Sequence, residues 1–153
     1  MGAEARIKEL GIELPKAATP LGSYVPAVRT GNLVYLSGQL PLVDGKLART
    51  GKVGADLTAD EAASLARTCA VNALVALKAH IGSLDNVTRC VKLTGFVACT
   101  PEFTAQPKVI NGASDLIAEV FGEIGRHSRA AVGAPVLPMD SPVEIEFIFE
   151  VRD

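Results

Sequence analysis

Two charged side chains stand in the apolar, strand-like last quarter of the chain. Arg129 lies in His127-Ser128-Arg129-Ala130-Ala131-Val132, and Glu144 in Val143-Glu144-Ile145-Glu146-Phe147-Ile148-Phe149. A buried charge without a partner is costly, so this Arg and Glu either pair with each other or await a ligand of opposite charge. The guanidinium is planar and grips a carboxylate through two parallel hydrogen bonds. A carboxyl group in a shielded cleft orients water or moves a proton. Glu146 and Glu150 share the alternation face of Glu144 but lie nearer the strand's end, and they read as surface or subunit-contact charges.

Other chemistries find little support. Cys69, Cys90 and Cys99 show no Cys-x-x-Cys spacing and no accompanying histidine cluster, so they are expected as small buried hydrophobes rather than as disulfides, zinc ligands or nucleophiles. The net charge is -2 and the basic residues are scattered, which argues against nucleic acid as a partner. Ribonuclease chemistry has little to use: His80 falls in an expected helix, His127 is the one loop histidine, and no basic groove is visible. No apolar run approaches the ~20 residues of a membrane span. Met1 to Glu13 mixes Glu, Arg and Lys without a signal-peptide core, so no membrane association and a cytoplasmic location are expected.

The elements that must position these groups follow from composition and periodicity. At 153 residues, with 48% hydrophobic and 21% charged, residues 1–153 are expected to form a single domain. Residues 2–10 suit a short helix ended by Gly11, and Leu14 to Gly22 an extended loop. Tyr24 to Arg29 and Leu33 to Ser37 flank the turn Thr30-Gly31-Asn32 and predict a hairpin; Leu33 to Leu36, apolar on both faces, predict a strand covered on both sides. Gly38 to Gly54 reads as a loop with room for a short excursion of strand. Thr58-Ala59-Asp60-Glu61 is a capping box ahead of a helical repeat through Cys69 to Ile81.

Val87 to Thr100 alternates as a strand, with Val87, Val91, Leu93, Val97 and Cys99 on one face and Cys90, Lys92, Thr94, Phe96 and Ala98 on the other. A second helix starts near Pro107, its stripe running from Val109 to Ile124. In the last strand Val143, Ile145, Phe147, Phe149 and Val151 face the core. The expected fold is α+β, a mixed sheet with two main helices on one face. Phe96, Ala98 and Ile148 on the uncovered face predict an oligomer.

The residues resemble the reactive-intermediate deaminase family, also called YjgF or RidA-like and once labelled L-PSP endoribonuclease. Gly22-Ser23-Tyr24-Val25-Pro26-Ala27-Val28 looks like the family's Gly-Pro-Tyr-x-x-x-Val opening, and Leu36-Ser37-Gly38-Gln39-Leu40-Pro41 like its Ser-Gly-Gln-x-Pro segment. Phe103 through Asn111 is similar to its Phe-x-x-x-Asn helix start, and Ser128-Arg129-Ala130-Ala131-Val132 to its Arg-[Ser/Thr]-x-Val signature. Leu137-Pro138 with Val143-Glu144-Ile145-Glu146 is similar to its closing strand. Residues 1–20 and a longer loop before the first main helix lie outside the match, as in a subgroup with an N-terminal extension.

The resemblance implies a chorismate-mutase-like fold, a homotrimer, and a site in each cleft between subunits. It implies hydrolysis of an imine or enamine, typically 2-aminoacrylate or another 2-imino acid, to a 2-oxo acid and ammonia, without cofactor or metal. By the motif match Arg129 takes the place of the carboxylate anchor and Glu144 that of the water-orienting acid. Tyr24, Ser37, Gly38 and Asn111 match pocket positions, and the backbone around Ala131 could orient the imine nitrogen or water. Tyr24 reads equally as a strand aromatic, Ser37 as a turn hydroxyl and Asn111 as a polar residue near a helix start.

Ala131 stands where the family often has Cys, which removes a thiol mechanism there. Gly125-Arg126-His127-Ser128 replaces an aromatic-Pro-Ala run, so Arg126 or His127 either contacts a second polar group of a larger substrate or faces solvent. The competing reading is a trimer that binds small carboxylates or 2-oxo acids without turnover. Chorismate-mutase chemistry would share the fold, but the motifs point away from it.

Overall fold

The computed structural model describes residues 1–20 and 22–153. Its centre is a five-stranded sheet in the spatial order β1 (Ala27–Thr30), β2 (Leu33–Gln39), β7 (Val143–Val151), β5 (Val87–Ala98) and β6 (Ser128–Ala134). Strands β1 (Ala27–Thr30) and β2 (Leu33–Gln39) form the expected antiparallel hairpin, and Gly31 at φ 57 supplies the left-handed turn conformation. The last strand, β7 (Val143–Val151), is inserted between β2 and β5 (Val87–Ala98), antiparallel to both. Its alternation is explained by this central place, since Val143, Ile145, Phe147, Phe149 and Val151 are all buried under the helices. The edge strand β6 (Ser128–Ala134) runs parallel to β5, which requires a crossover.

That crossover is the helix α3 (Gln106–Phe121), with Pro107 in its first turn. Beside it lies α2 (Ala59–Ile81), whose capping box joins the Thr58 and Glu61 side chains to each other's backbone amides. Both helices cover the same sheet face. A short helix α1 (Ala3–Glu9) docks Ala3 and Ile7 against this core. Its Glu4 carboxylate accepts from Lys78 Nζ at 2.8 Å and from the Leu84 amide at 3.0 Å. In the loop after β2, the two-residue strands β3 (Leu42–Val43) and β4 (Lys46–Leu47) are the anticipated excursion, tied to α2 by Asn72, which donates to the carbonyls of Leu40 and Leu42. The expected extended loop from Leu14 to Gly22 has no regular structure in its described part; Leu21 lies outside the described residues. Among the described residues no helix is long and apolar enough to cross a membrane.

Four local expectations are corrected. β1 begins at Ala27, so Tyr24 precedes the strand and is exposed. Within β5, irregularities between Val87 and Arg89 and between Cys90 and Lys92 flip the phase of a short stretch. Cys90 therefore enters the core and Arg89 turns out, while Leu93 and Val97 keep the expected face. Ala98 keeps the face of Phe96 but is fully buried there, and its carbonyl accepts from the Val53 amide at 2.8 Å. Ile124 falls beyond α3 in a 3-10 turn and is exposed.

Nor is β2 covered on both sides. Pairing places Val28, Tyr35 and Ile148 side by side on the face opposite the helices, and Glu144, Phe96 and Val132 in a second row of it. Val28 is 53%, Tyr35 42% and Val132 43% exposed, so this face carries apolar surface that the chain itself leaves open.

Candidate functional site

Arg129 pairs with Leu93 in the β6–β5 ladder, so its side chain emerges on the helix-covered face. There it meets the start of α3. Nη1 donates to Ser114 Oγ at 3.0 Å and Nη2 to the Pro107 carbonyl at 3.3 Å. Pro107, Asn111 and Ser114 follow one another at spacings of four and three, so the exposed Asn111 lies on the same stripe of the helix as the two residues that accept from the guanidinium. Ala131, two residues along β6 from Arg129, packs on the same face against the core. Among the described residues Arg129 makes no ion pair, and the internal salt bridge with Glu144 is not formed. Two neutral acceptors orient its charge without cancelling it.

The polar run before Arg129 divides. Arg126 is exposed and pairs with Glu123 on its own turn, at 3.5 Å. His127 points inward instead of to solvent or to a pocket rim. Its Nδ1 lies 2.7 Å from the Gly125 carbonyl and its Nε2 2.9 Å from Ser114 Oγ, the hydroxyl that also receives Arg129. Residue type alone does not mark Ser114, although the helical spacing from Pro107 through Asn111 points to it. His127 was visible in sequence, but its direction depends on the 3-10 turn that presents the Gly125 carbonyl.

Glu144 belongs to a second group. It sits on the face away from the helices, half-buried against Gly38, where any Cβ would collide with its carboxylate. The space at Gly38 is thus occupied by the Glu144 carboxyl rather than reserved for a ligand's approach to the backbone. Burial pushes the Glu144 pKa above its ordinary value, and the negative charge of Glu146 adds to the rise. Ser37 Oγ donates to the Val25 carbonyl at 2.7 Å and its amide to the Pro26 carbonyl at 2.9 Å, so this hydroxyl fastens the segment ahead of β1. Tyr24, Ser37 and Gly38 line one end of a groove of about 880 Å³ between that segment, the β3–β4 hairpin and α2.

The two groups are separate within one chain. Phe96 of β5 is flanked by Glu144 on one side and Val132 on the other, so β5 stands between Glu144 and β6. Arg129, Ala131 and Asn111 collect on the helix side of the β6 edge; Glu144 of β7 collects with Gly38 and Ser37 of β2 and with Tyr24 ahead of β1.

A family model described as "YjgF/chorismate_mutase-like, putative endoribonuclease" matches residues 4–151. The chain belongs to this YjgF family. Protein TCP17 of Trypanosoma cruzi is 46% identical over 150 residues, which cover 97% of this chain and 94% of that protein. A 2-iminobutanoate/2-iminopropanoate deaminase of Dermatophagoides farinae is 31% identical, with 92% and 95% covered. The crystal structure of Atu1372 from Agrobacterium tumefaciens, a protein of unknown function, has a TM-score of 0.91 at 52% identity, covering 98% of this chain and 92% of that one. The YjgF family thus accounts for the mixed α+β sheet and its two covering helices, and some of its members carry deaminase names.

Proposed function

We propose that the protein hydrolyses 2-imino acids to 2-oxo acids and ammonia in clefts between copies of this chain, assembled as a homotrimer in the cytoplasm. The observation that carries this reading is the Arg129 guanidinium, held by Ser114 Oγ and the Pro107 carbonyl and, among the described residues, in no ion pair. A cation so oriented suits the carboxylate of a small substrate. Asn111, on the same helical stripe, would contact the substrate's polar end, and the backbone near Ala131 would lie against the reacting carbon.

Glu144 supplies the acid and base. Burial and Glu146 raise its pKa, the direction an acid needs: the carboxyl donates to the imine nitrogen, its carboxylate takes a proton from the water that adds to the carbon, and that proton goes to the nitrogen as ammonia leaves. The balance is R–C(=NH)–COO⁻ plus water giving R–C(=O)–COO⁻ plus ammonia, with water's oxygen ending on the carbonyl carbon. Tyr24 and the groove it lines would close the cleft. Because Arg129 and Glu144 lie in separate groups, the proposal has Arg129 of one copy face Glu144 of its neighbour.

The test generates 2-imino acids in situ with an amino-acid oxidase and follows their loss. Acceleration by the wild type, abolished in Arg129→Ala, is the expected result; no acceleration across alanine-, 2-aminobutanoate- and aspartate-derived imines overturns it. A second reading, a trimeric binder of 2-oxo acids without turnover, is favoured by the same geometry, since Arg129 is oriented without any help from Glu144. Under that reading the wild type binds 2-oxobutanoate yet accelerates no imine, and Glu144→Ala changes neither result.

A further inference from the structure

We propose that Ser114 and His127 are positioning residues that hold Arg129 through a directional, uncharged hydrogen-bond relay. The inference deepens the carboxylate site and rests on that reading. Its direction follows from its two ends, neither of which has a choice: the Arg129 guanidinium only donates, so Ser114 Oγ accepts from it. The Gly125 carbonyl can only accept, so the hydrogen at 2.7 Å sits on His127 Nδ1. In the neutral ring Nε2 is then a bare acceptor, and the hydroxyl 2.9 Å away must donate to it. With its proton spent on the imidazole, Ser114 Oγ presents lone pairs to Arg129 Nη1 at 3.0 Å.

Each link therefore forces the next, from Gly125 through His127 and Ser114 to the guanidinium. Arg129 is fixed by acceptors that carry no charge, with the Pro107 carbonyl as the second point of attachment. A carboxylate in the place of Ser114 would hold the side chain more firmly but would compete with an anionic ligand. A hydroxyl without His127 would be free to rotate, and its proton could face Arg129 instead of its lone pairs. The relay resolves both problems. It also gives a physical reason why polar residues stand at 114 and 127 among partly buried neighbours.

The experiment uses the intact protein, titrated with 2-oxobutanoate by calorimetry, and nitrogen-15 spectra of the histidine and arginine side chains at pH 8. His127 is expected as the Nδ1–H tautomer. Ser114→Ala and His127→Phe are expected to weaken 2-oxobutanoate binding about tenfold, the scale of one hydrogen bond to a charged group. Both shift the Arg129 Nε signal. His127→Gln, which carries a donor and an acceptor without a charge, recovers part of the affinity, which separates the relay from a loss of folding.

Binding by His127→Phe and Ser114→Ala equal to wild type, while Arg129→Ala does not bind, overturns the relay and leaves the carboxylate site standing. An Nε2–H tautomer overturns it as well. If wild type and Arg129→Ala are alike in failing to bind, the carboxylate reading itself is overturned, and the positioning role with it.

Discussion

Arg129 and Glu144 are the residues on which the chemistry turns, and each makes its own prediction. Replacing Arg129 by Lys keeps a positive charge but loses the planar fork and the two-point attachment to Ser114 and the Pro107 carbonyl. Affinity for 2-oxobutanoate should fall about 10- to 100-fold in Arg129→Lys and further in Arg129→Ala, measured by calorimetry. Retained affinity in Arg129→Ala would remove the anchor assignment. Glu144 predicts a stability effect with a definite sign. Its folded pKa is raised, chiefly by burial and then by Glu146, so the neutral form is favoured in the fold. The stability of this site is full below the ordinary carboxyl range and is lost as pH rises through the raised value. Glu144→Gln, which imitates the neutral form, should therefore raise Tm at pH 7 by about 1–3 °C and have no stabilising effect at pH 3. A lower Tm at pH 7 would contradict it.

At the scale of elements, strand and helix periodicity made most of the fold legible. The alternation of β7 and the capping box of α2 are both plain in the residues, because every core-facing position of β7 is apolar and Thr58 and Glu61 stand at capping-box spacing. What escaped was phase and direction. Two ladder irregularities in β5 move Cys90 inward, and nothing in the residues around it marks where a ladder slips. Arg129 and Glu144 are legible as charges in apolar strands, and the alternation of β7 already turns Glu144 away from the helices; the face of Arg129 is not legible, since it depends on β6 pairing Arg129 with the buried Leu93 of β5. Ser114 stayed hidden because its role exists only once α3 is laid against β6.

The N-terminal extension was legible as a helix but not as a docked one. Burial alone would raise the Glu4 carboxyl, yet the Lys78 ammonium and the Leu84 amide outweigh it and hold the pKa below its usual value. This contribution is present above the ordinary carboxyl range and lost as pH falls through the lowered one. Glu4→Gln should cost about 0.5–1 kcal/mol at pH 7, small because the pair is partly exposed, and progressively less as the pH falls toward 3. Chemical denaturation at the two pH values measures it, and an equal cost at both would contradict the clamp.

For the whole molecule, the open sheet face and the separation of the two residue groups raise one question, and they answer it together if copies of the chain share each site. Val28, Tyr35, Phe96, Ile148 and Val132 place apolar surface on the face that also carries Glu144. Covering that face with another copy would shield Glu144 further and bring a foreign β6 edge within reach. Ile148→Glu should then lower the mass seen by sedimentation velocity to that of one chain, leave the far-UV spectrum unchanged, and abolish imine hydrolysis. The sharper experiment mixes subunits. Arg129→Ala and Glu144→Ala assemblies should each be inactive, because every cleft lacks one of the two groups. Refolded together in equal amounts, a cleft receives an intact Arg129 from one copy and an intact Glu144 from its neighbour with a chance of one half each. Activity should return to about a quarter of wild type, as random closed rings with heterologous contacts require. If both groups acted within a single chain, no mixture would restore any, because no chain in it carries both. A mixture as inactive as its components would leave the site inside one chain and remove the shared cleft.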